Sequence, residues 1–141
     1  MLTAKTATID LVQVWWDNDP TGRVSVNFPL NKAAGTQGGA VVYFKVEPGE
    51  RLPMHTDSPE EILYIVSGTA EAHVGDEVGI VSAGDLAVIP AMVPHGLVNI
   101  GDETVEVVGF FSEPEVTSSF EEPVQPIGQR VLQQAPVPVS A

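Results

Sequence analysis

Short runs of alternating apolar and polar residues fill this chain between residues 10 and 111. Successive side chains of a strand point to opposite faces, so a run with a period of two marks a strand with one buried side. Residues 10–19 begin this way, with Leu11, Gln13 and Trp15 on one side and Val12, Val14 and Trp16 on the other. Residues 23–28, 40–47, 69–74, 77–81, 86–90, 96–100 and 104–111 also read as strands, with β-branched and aromatic residues at their centres. Residues 61–67 differ: Leu63 and Ile65 follow Glu61 on one face, while Ile62, Tyr64 and Val66 make the other face apolar as well. A strand apolar on both faces is buried on both. The second face is therefore expected to meet another sheet or a second subunit.

Turn chemistry separates these runs. Residues 18–22 (NDPTG), Pro48-Gly49-Glu50 and Ala83-Gly84-Asp85 carry it, and residues 99–102 bend the chain once more. Ser67-Gly68 is expected to join 61–67 to 69–74 as a hairpin, and Gly75-Asp76 to make a two-residue hairpin turn. Residues 32–39 form a small, polar, glycine-containing loop. No segment keeps a helical period. Many short strands with frequent turns predict an all-β antiparallel sandwich or barrel.

The rhythm stops at residue 112, where the composition turns to proline and polar residues. Residues 1–111 are expected to form the barrel and residues 112–141 an irregular tail lying over it or over a partner subunit. One helical turn is expected near residues 116–120. Phe120, Val124, Ile127 and Val131 are the candidate anchors, and 136–141 are expected to be disordered.

Charge narrows the partners. The chain of 141 residues has six lysines and arginines and a net charge of −13. A nucleic-acid ligand needs basic groups to neutralise phosphates, and an anionic membrane surface needs the same, so neither is expected. The absence of cysteine excludes disulfides, thiolate metal sites and cysteine nucleophiles. The first ten residues have no apolar core of signal-peptide length, and no run approaches a membrane span. A soluble, cytoplasmic protein is expected.

Two runs carry chemistry. Residues 49–68 (GERLPMHTDSPEEILYIVSG) space Gly49, His55, Asp57, Glu61 and Gly68, and residues 84–99 space Gly84, Pro90, His95 and Asn99. Together they resemble the paired motifs of the cupin superfamily, G-x5-H-x-H-x3/4-E-x6-G and G-x5-P-x-G-x2-H-x3-N. Every fixed position matches except two: Asp57 stands where a second histidine is usual, and Met92 where a glycine is usual. The resemblance implies a double-stranded β-helix, or jelly-roll, barrel, in agreement with the strand pattern, and a small single-domain microbial cupin.

It also implies a metal site of His55, Asp57, Glu61 and His95. Residues two apart in a strand share a face, which suits His55, Asp57 and Glu61 if that segment stays extended. A carboxylate heading an apolar inward row is costly unless something pairs with it. Glu60 is the alternative carboxylate, but the three-residue gap after Asp57 favours Glu61. With Asp57 bound, two neutral imidazoles and two carboxylates cancel a divalent charge. Without it, a two-histidine, one-carboxylate set remains, and Asp57 is left as a catalytic base. One divalent first-row transition metal per subunit is expected, Fe or Mn favoured, with Zn, Ni and Cu also compatible. His73 reads as a solvent-facing strand residue, and Arg51 as a solvated surface arginine.

Around the metal the expected pocket residues are Tyr43 or Phe44, Met54, Leu63, Met92, and Phe110 or Phe111. This mostly apolar set suits a small organic molecule that chelates through one or two oxygens. The resemblance implies a metal-dependent enzyme, a dioxygenase or else an isomerase or lyase, with Glu61 or Asp57 as general base. The competing reading is a non-catalytic metal or small-molecule sensor. The strand apolar on both faces and the tail are both material for a homodimer.

Overall fold

The computed structural model of the chain describes residues 1–136. Twelve strands form two facing sheets, with a short 3-10 helix, Lys32–Ala34, as the one helical element among the described residues. In chain order they are β1 (Val12–Trp16), β2 (Asp19–Leu30), β3 (Ala40–Val46), β4 (Arg51–Asp57), β5 (Glu61–Ser67), β6 (Thr69–Val74), β7 (Glu77–Ser82), β8 (Leu86–Ile89), β9 (His95–Asn99), β10 (Val105–Phe111), β11 (Thr117–Val124) and β12 (Gln129–Gln133). The fold is all-β, as the period-two pattern predicts. Among the described residues no helix is long and apolar enough to cross a membrane.

One sheet runs β1-β2-β3-β10-β5-β8, and the other runs β7-β6-β9-β4-β11-β12. A single parallel bridge, Gly22 to Arg51, links β2 to β4 and nearly closes the barrel. Side chains from both inner faces fill the core, and Ile65, Val46, Val105, Val107, Val116 and Val124 are the most completely buried of them. Between β3 and β11 the chain crosses from one sheet to the other at every step except β6–β7, so it makes corners as well as hairpins.

This corrects one expectation. Ser67-Gly68 does not close a hairpin, because β5 pairs with β10 and β8 while β6 pairs with β7 and β9. Gly68 turns the corner between sheets at φ 82°. A Cβ there would lie 2.7 Å from the Thr104 carbonyl oxygen, so only glycine fits this crossing. Gly75-Asp76 does close a two-residue hairpin, with Val74 opposite Glu77.

The tail departs further from the sequence reading. Residues 116–120 hold no helical turn, and the tail is not irregular over 117–133: β11 and β12 form a hairpin that adds to β4. The strand was hidden by its polar residues and by Pro123. Proline is tolerated in strands near a sheet edge, where a ladder hydrogen bond can be missing. Of the expected anchors, Val124 is buried and Phe120 packs against the core, while Ile127 and Val131 are exposed. Val116 and Leu132 are buried in their place. The expected disorder of 136–141 falls almost wholly outside the described residues.

Candidate metal centre

His55 and Asp57 lie two apart on β4, so both turn inward, and both are buried. His95 opens β9 directly across from His55. On the other side of β4, Phe120 of β11 stands opposite His55 and Ser118 opposite Asp57. A row Phe120–His55–His95 thus crosses three adjacent strands. The Phe120 ring stacks on His55 with centroids 4.7 Å apart and planes 15° apart.

Backbone carbonyls set the state of both imidazoles. His55 Nδ1 lies 2.8 Å from the Pro53 oxygen, and His95 Nδ1 lies 2.9 Å from the Val93 oxygen. A carbonyl only accepts, so each Nδ1 carries the hydrogen and donates it. In a neutral ring Nε2 is then a bare lone pair, the form that binds metal. Both Nε2 atoms face the same carboxylate oxygen: Asp57 Oδ2 is 3.1 Å from His95 Nε2 and 3.5 Å from His55 Nε2. Ser118 Oγ donates to the other oxygen, Asp57 Oδ1, at 2.6 Å.

One ligand atom from each of His55, Asp57 and His95 lies within 4.8 Å of the other two. Buried nitrogen and oxygen donors of this kind suit a divalent first-row metal. Glu61 stands at the rim of that group. Its Oε1 lies 3.6 Å from His95 Nε2, and it is not one of the three whose donors converge. Gly109 of β10 makes its seat: a Cβ there would collide with the Glu61 carboxylate and lie 2.7 Å from Val42 Cγ1. The geometry therefore draws Asp57 closer to the histidines than Glu61, where the sequence left Asp57 the open case.

Charges in this pocket are strongly coupled. Burial alone would lower the His95 pKa, but hydrogen bonds to Asp57 and Glu61 overcome it and raise the pKa to about 10. Burial works to raise the Asp57 carboxyl, yet the two histidines hold it well below the usual carboxylate range. Burial pushes Glu61 up. Without metal, His95 therefore carries a second proton, on Nε2, shared with the carboxylates. That proton occupies the position from which the imidazole would bind metal.

Behind the cluster lies a cavity of about 290 Å³. Trp16, Phe28, Phe44, Leu63, Phe111 and Phe120 line it together with His55, Asp57, Glu61 and His95. Leu63, expected there, lines it, but four other expected pocket residues do not. Tyr43 points to the opposite side of β3 and donates from its hydroxyl to Glu106, while Met54, Met92 and Phe110 are exposed. Of the two pairs left open, Phe44 and Phe111 are the members that line the cavity. β3 and β10 are apolar on both faces, so alternation alone does not say which face is inside. Arg51 pairs with Asp19, at 2.7 Å from Nη2 to Oδ2, on the surface. His73 is half-exposed beside Glu71, and Glu60 faces out.

The sequence reading missed Ser118. The signal for Ser118 was present: Val116, Ser118 and Phe120 share one face by alternation, in a segment that carried proline and glutamate around them.

Comparison with known proteins agrees with this fold. A search of the curated proteins finds no significant match. Among solved structures, the polyketide cyclase RemF from Streptomyces resistomycificus is 18% identical, with a TM-score of 0.66 over 79% of this chain and 78% of that one. A predicted oxalate decarboxylase from Thermotoga maritima is 21% identical, with a TM-score of 0.69 over 79% of this chain and 99% of its own. Oxalate decarboxylase from Bacillus subtilis, a protein with Mn(II) centres, is 24% identical with a TM-score of 0.60 over 74% of this chain. This chain spans only 29% of that decarboxylase's length. At these identities the likeness is one of fold. The family profile described as "Cupin domain" matches residues 42–111, the stretch that holds both motifs and all four candidate ligands. With both motif histidines brought together on adjacent strands of a jelly-roll barrel, the chain belongs to the cupin superfamily.

Proposed function

We propose that this protein is a small metal-dependent enzyme acting on an organic substrate that reaches the metal through its oxygen atoms, with a dioxygenase reaction favoured over an isomerase or lyase one. The observation that carries the reading is the convergence of His55 Nε2, His95 Nε2 and Asp57 Oδ2, with each Nδ1 tied to a carbonyl. These three residues would hold the metal, and Glu61 would add or withhold a further carboxylate. A metal held there supplies positive charge that polarises a substrate oxygen. Mn and Fe are the favoured ions, since oxygen and imidazole donors suit both and a protein of this fold has Mn(II) centres.

The chain's own groups account for the rest of the chemistry. The cavity wall shields the reacting atoms from water. Glu61, its carboxyl pushed up by burial, is the member of the cluster best suited to take and return a proton. Elemental analysis of protein purified without a histidine tag or added metal tests the reading. Stoichiometric Mn or Fe supports it, and metal content unchanged on His55→Ala or His95→Ala overturns it. Turnover of candidate substrates with the identified metal then separates an enzyme from a sensor that only binds.

We further propose a homodimer. Ile62, Tyr64 and Val66 of β5 are about two-fifths exposed in the single chain. Ile62 pairs with Phe110 and Val88, and Tyr64 with Leu86, on flanking strands. The result is a continuous apolar face across β10, β5 and β8, the kind of patch that marks an association surface. A monomer mass by light scattering at micromolar concentration would sink the proposal.

A further inference from the structure

The cavity holds two unusual features besides the ligand cluster. The first is an orphan donor. Trp16 is 3% exposed and lines the cavity, yet its indole Nε1 is buried with no hydrogen-bond partner among the described residues. Buried polar groups are nearly always paired, so an orphan calls for a reason. An indole N–H can only donate, so the partner it lacks is an acceptor.

The second feature is charge. None of the chain's six lysines and arginines lines the cavity among the described residues. Arg51, Lys32 and Lys45 are committed to Asp19, Glu115 and Glu106, and Arg23 to Gln13. Two carboxylates, Asp57 and Glu61, face the cavity instead. A divalent ion would cancel their charge and leave no positive surplus. A substrate dianion would then be desolvated with nothing to balance it, which is costly. The remaining wall is aromatic and aliphatic.

We propose that the substrate is an uncharged, largely apolar ring compound with oxygens at two edges: one edge directed to the His55–Asp57–His95 cluster, the other a carbonyl or ether oxygen that accepts the Trp16 Nε1 hydrogen. Small dicarboxylates and sugar phosphates are excluded by the same inventory. This rests on the metal-site reading for the first edge only; the Trp16 contact and the apolar body stand without it. Phe120 packs between Trp16 and His55, 5.1 Å from one ring and 4.7 Å from the other, so an aromatic wall runs from the orphan donor to the ligand cluster.

Three probes test it by calorimetry on Mn(II)-loaded and metal-free protein: 5-hydroxy-1,4-naphthoquinone, 8-hydroxy-1-tetralone and oxalate. The first two share a hydroxyl–carbonyl edge, and only the quinone has a carbonyl at the far edge. The quinone is expected to bind roughly three- to tenfold more tightly than the tetralone, the ratio that one hydrogen bond supplies. Trp16→Phe is expected to erase that ratio while leaving the metal content unchanged. Oxalate is expected to bind at least roughly tenfold more weakly than either ring compound. Oxalate binding as tightly as the quinone overturns the proposal, as does equal binding of the quinone and the tetralone by wild-type protein, a comparison that does not depend on the variant folding. Elemental analysis of the same samples keeps the two readings apart. Protein that takes up no metal refutes the metal site, and the ring-compound comparison on metal-free protein still decides this proposal.

Discussion

Ser118 Oγ donates a 2.6 Å hydrogen bond to Asp57 Oδ1, and this leaves Asp57 Oδ2 to face both histidines. The bond joins the C-terminal hairpin to a candidate ligand, across a segment that lies outside the family match at 42–111. It gives the Asp57 carboxylate a fixed orientation, one oxygen held by protein and the other presented inward. Where the resembled motif has a histidine, this chain has a shorter carboxylate with a hydroxyl behind it.

Ser118→Ala should therefore weaken metal binding without removing any ligand. Loss of such a supporting contact costs roughly 10–100-fold in affinity in known metal sites. Ser118→Thr keeps the hydroxyl and should recover most of the loss. Competition with a fluorescent chelator measures both variants, and equal affinity in wild type and Ser118→Ala would show that the hydroxyl does not position the carboxylate.

Substitutions in the cluster should sort the residues by role. His55→Ala and His95→Ala should each abolish tight metal binding. Asp57→Ala should lower metal content strongly, because its Oδ2 is the oxygen both Nε2 atoms face. Glu61→Ala should have the smaller effect of the two carboxylate changes on metal content and the larger on turnover. Glu60→Ala and His73→Ala, both away from the cavity, are the controls. Metal analysis reads all six, and retention of metal by Asp57→Ala with loss in Glu61→Ala would reverse the assignment.

Stability of the metal-free protein should depend on pH in a definite direction. The His95 pKa is raised from 6.5 to about 10, so its contribution is full below pH 6.5 and is lost as the pH rises towards 10. Glu61, also raised, acts in the same sense: its contribution is present below the ordinary 4.5 and lost as the pH rises through its folded value. Asp57 is held below its ordinary 3.8, so its contribution is present above that pH and lost in acid. The metal-free melting temperature should accordingly fall between pH 6.5 and 10. The extra stability conferred by metal should grow over the same interval, because the proton on His95 Nε2 competes with the metal. Thermal scans with and without metal across this range make the comparison, and parallel curves would refute the shared site for proton and metal.

Met92 stands where the resembled motif has a glycine, and it adopts φ 63°. A left-handed conformation costs a residue other than glycine roughly 1–2 kcal/mol. The Met92 side chain is exposed, so little packing offsets that cost. The backbone N–H of Met92 donates to the Asp57 carbonyl oxygen at 2.9 Å, which keeps the turn docked against β4. Met92→Gly should therefore raise stability by about 1 kcal/mol, the strain relieved less the greater freedom glycine has when unfolded. Denaturant unfolding measures it, and a lower midpoint in the variant would mean that Met92 makes contacts worth more than the strain.

The sequence by itself located most of the strands between residues 10 and 111, because a period of two is a local property of neighbouring residues. It left β4 only conditionally extended and put a turn at 18–22, where β2 already begins at Asp19. Given that extension, it determined that His55 and Asp57 share a face, since they are two apart in one run. Only the tertiary structure decided what lies across from them. Ser118 and Phe120 reach Asp57 and His55 through pairing of β11 with β4, some sixty positions away in the chain, and no local pattern encodes such a pairing. The same limit explains the pocket. Tyr43 and Phe44, like Phe110 and Phe111, are adjacent residues in strands apolar on both sides, so either parity satisfies the pattern. The inner face is settled by which side closes against the opposite sheet, a matter of packing between segments distant in sequence.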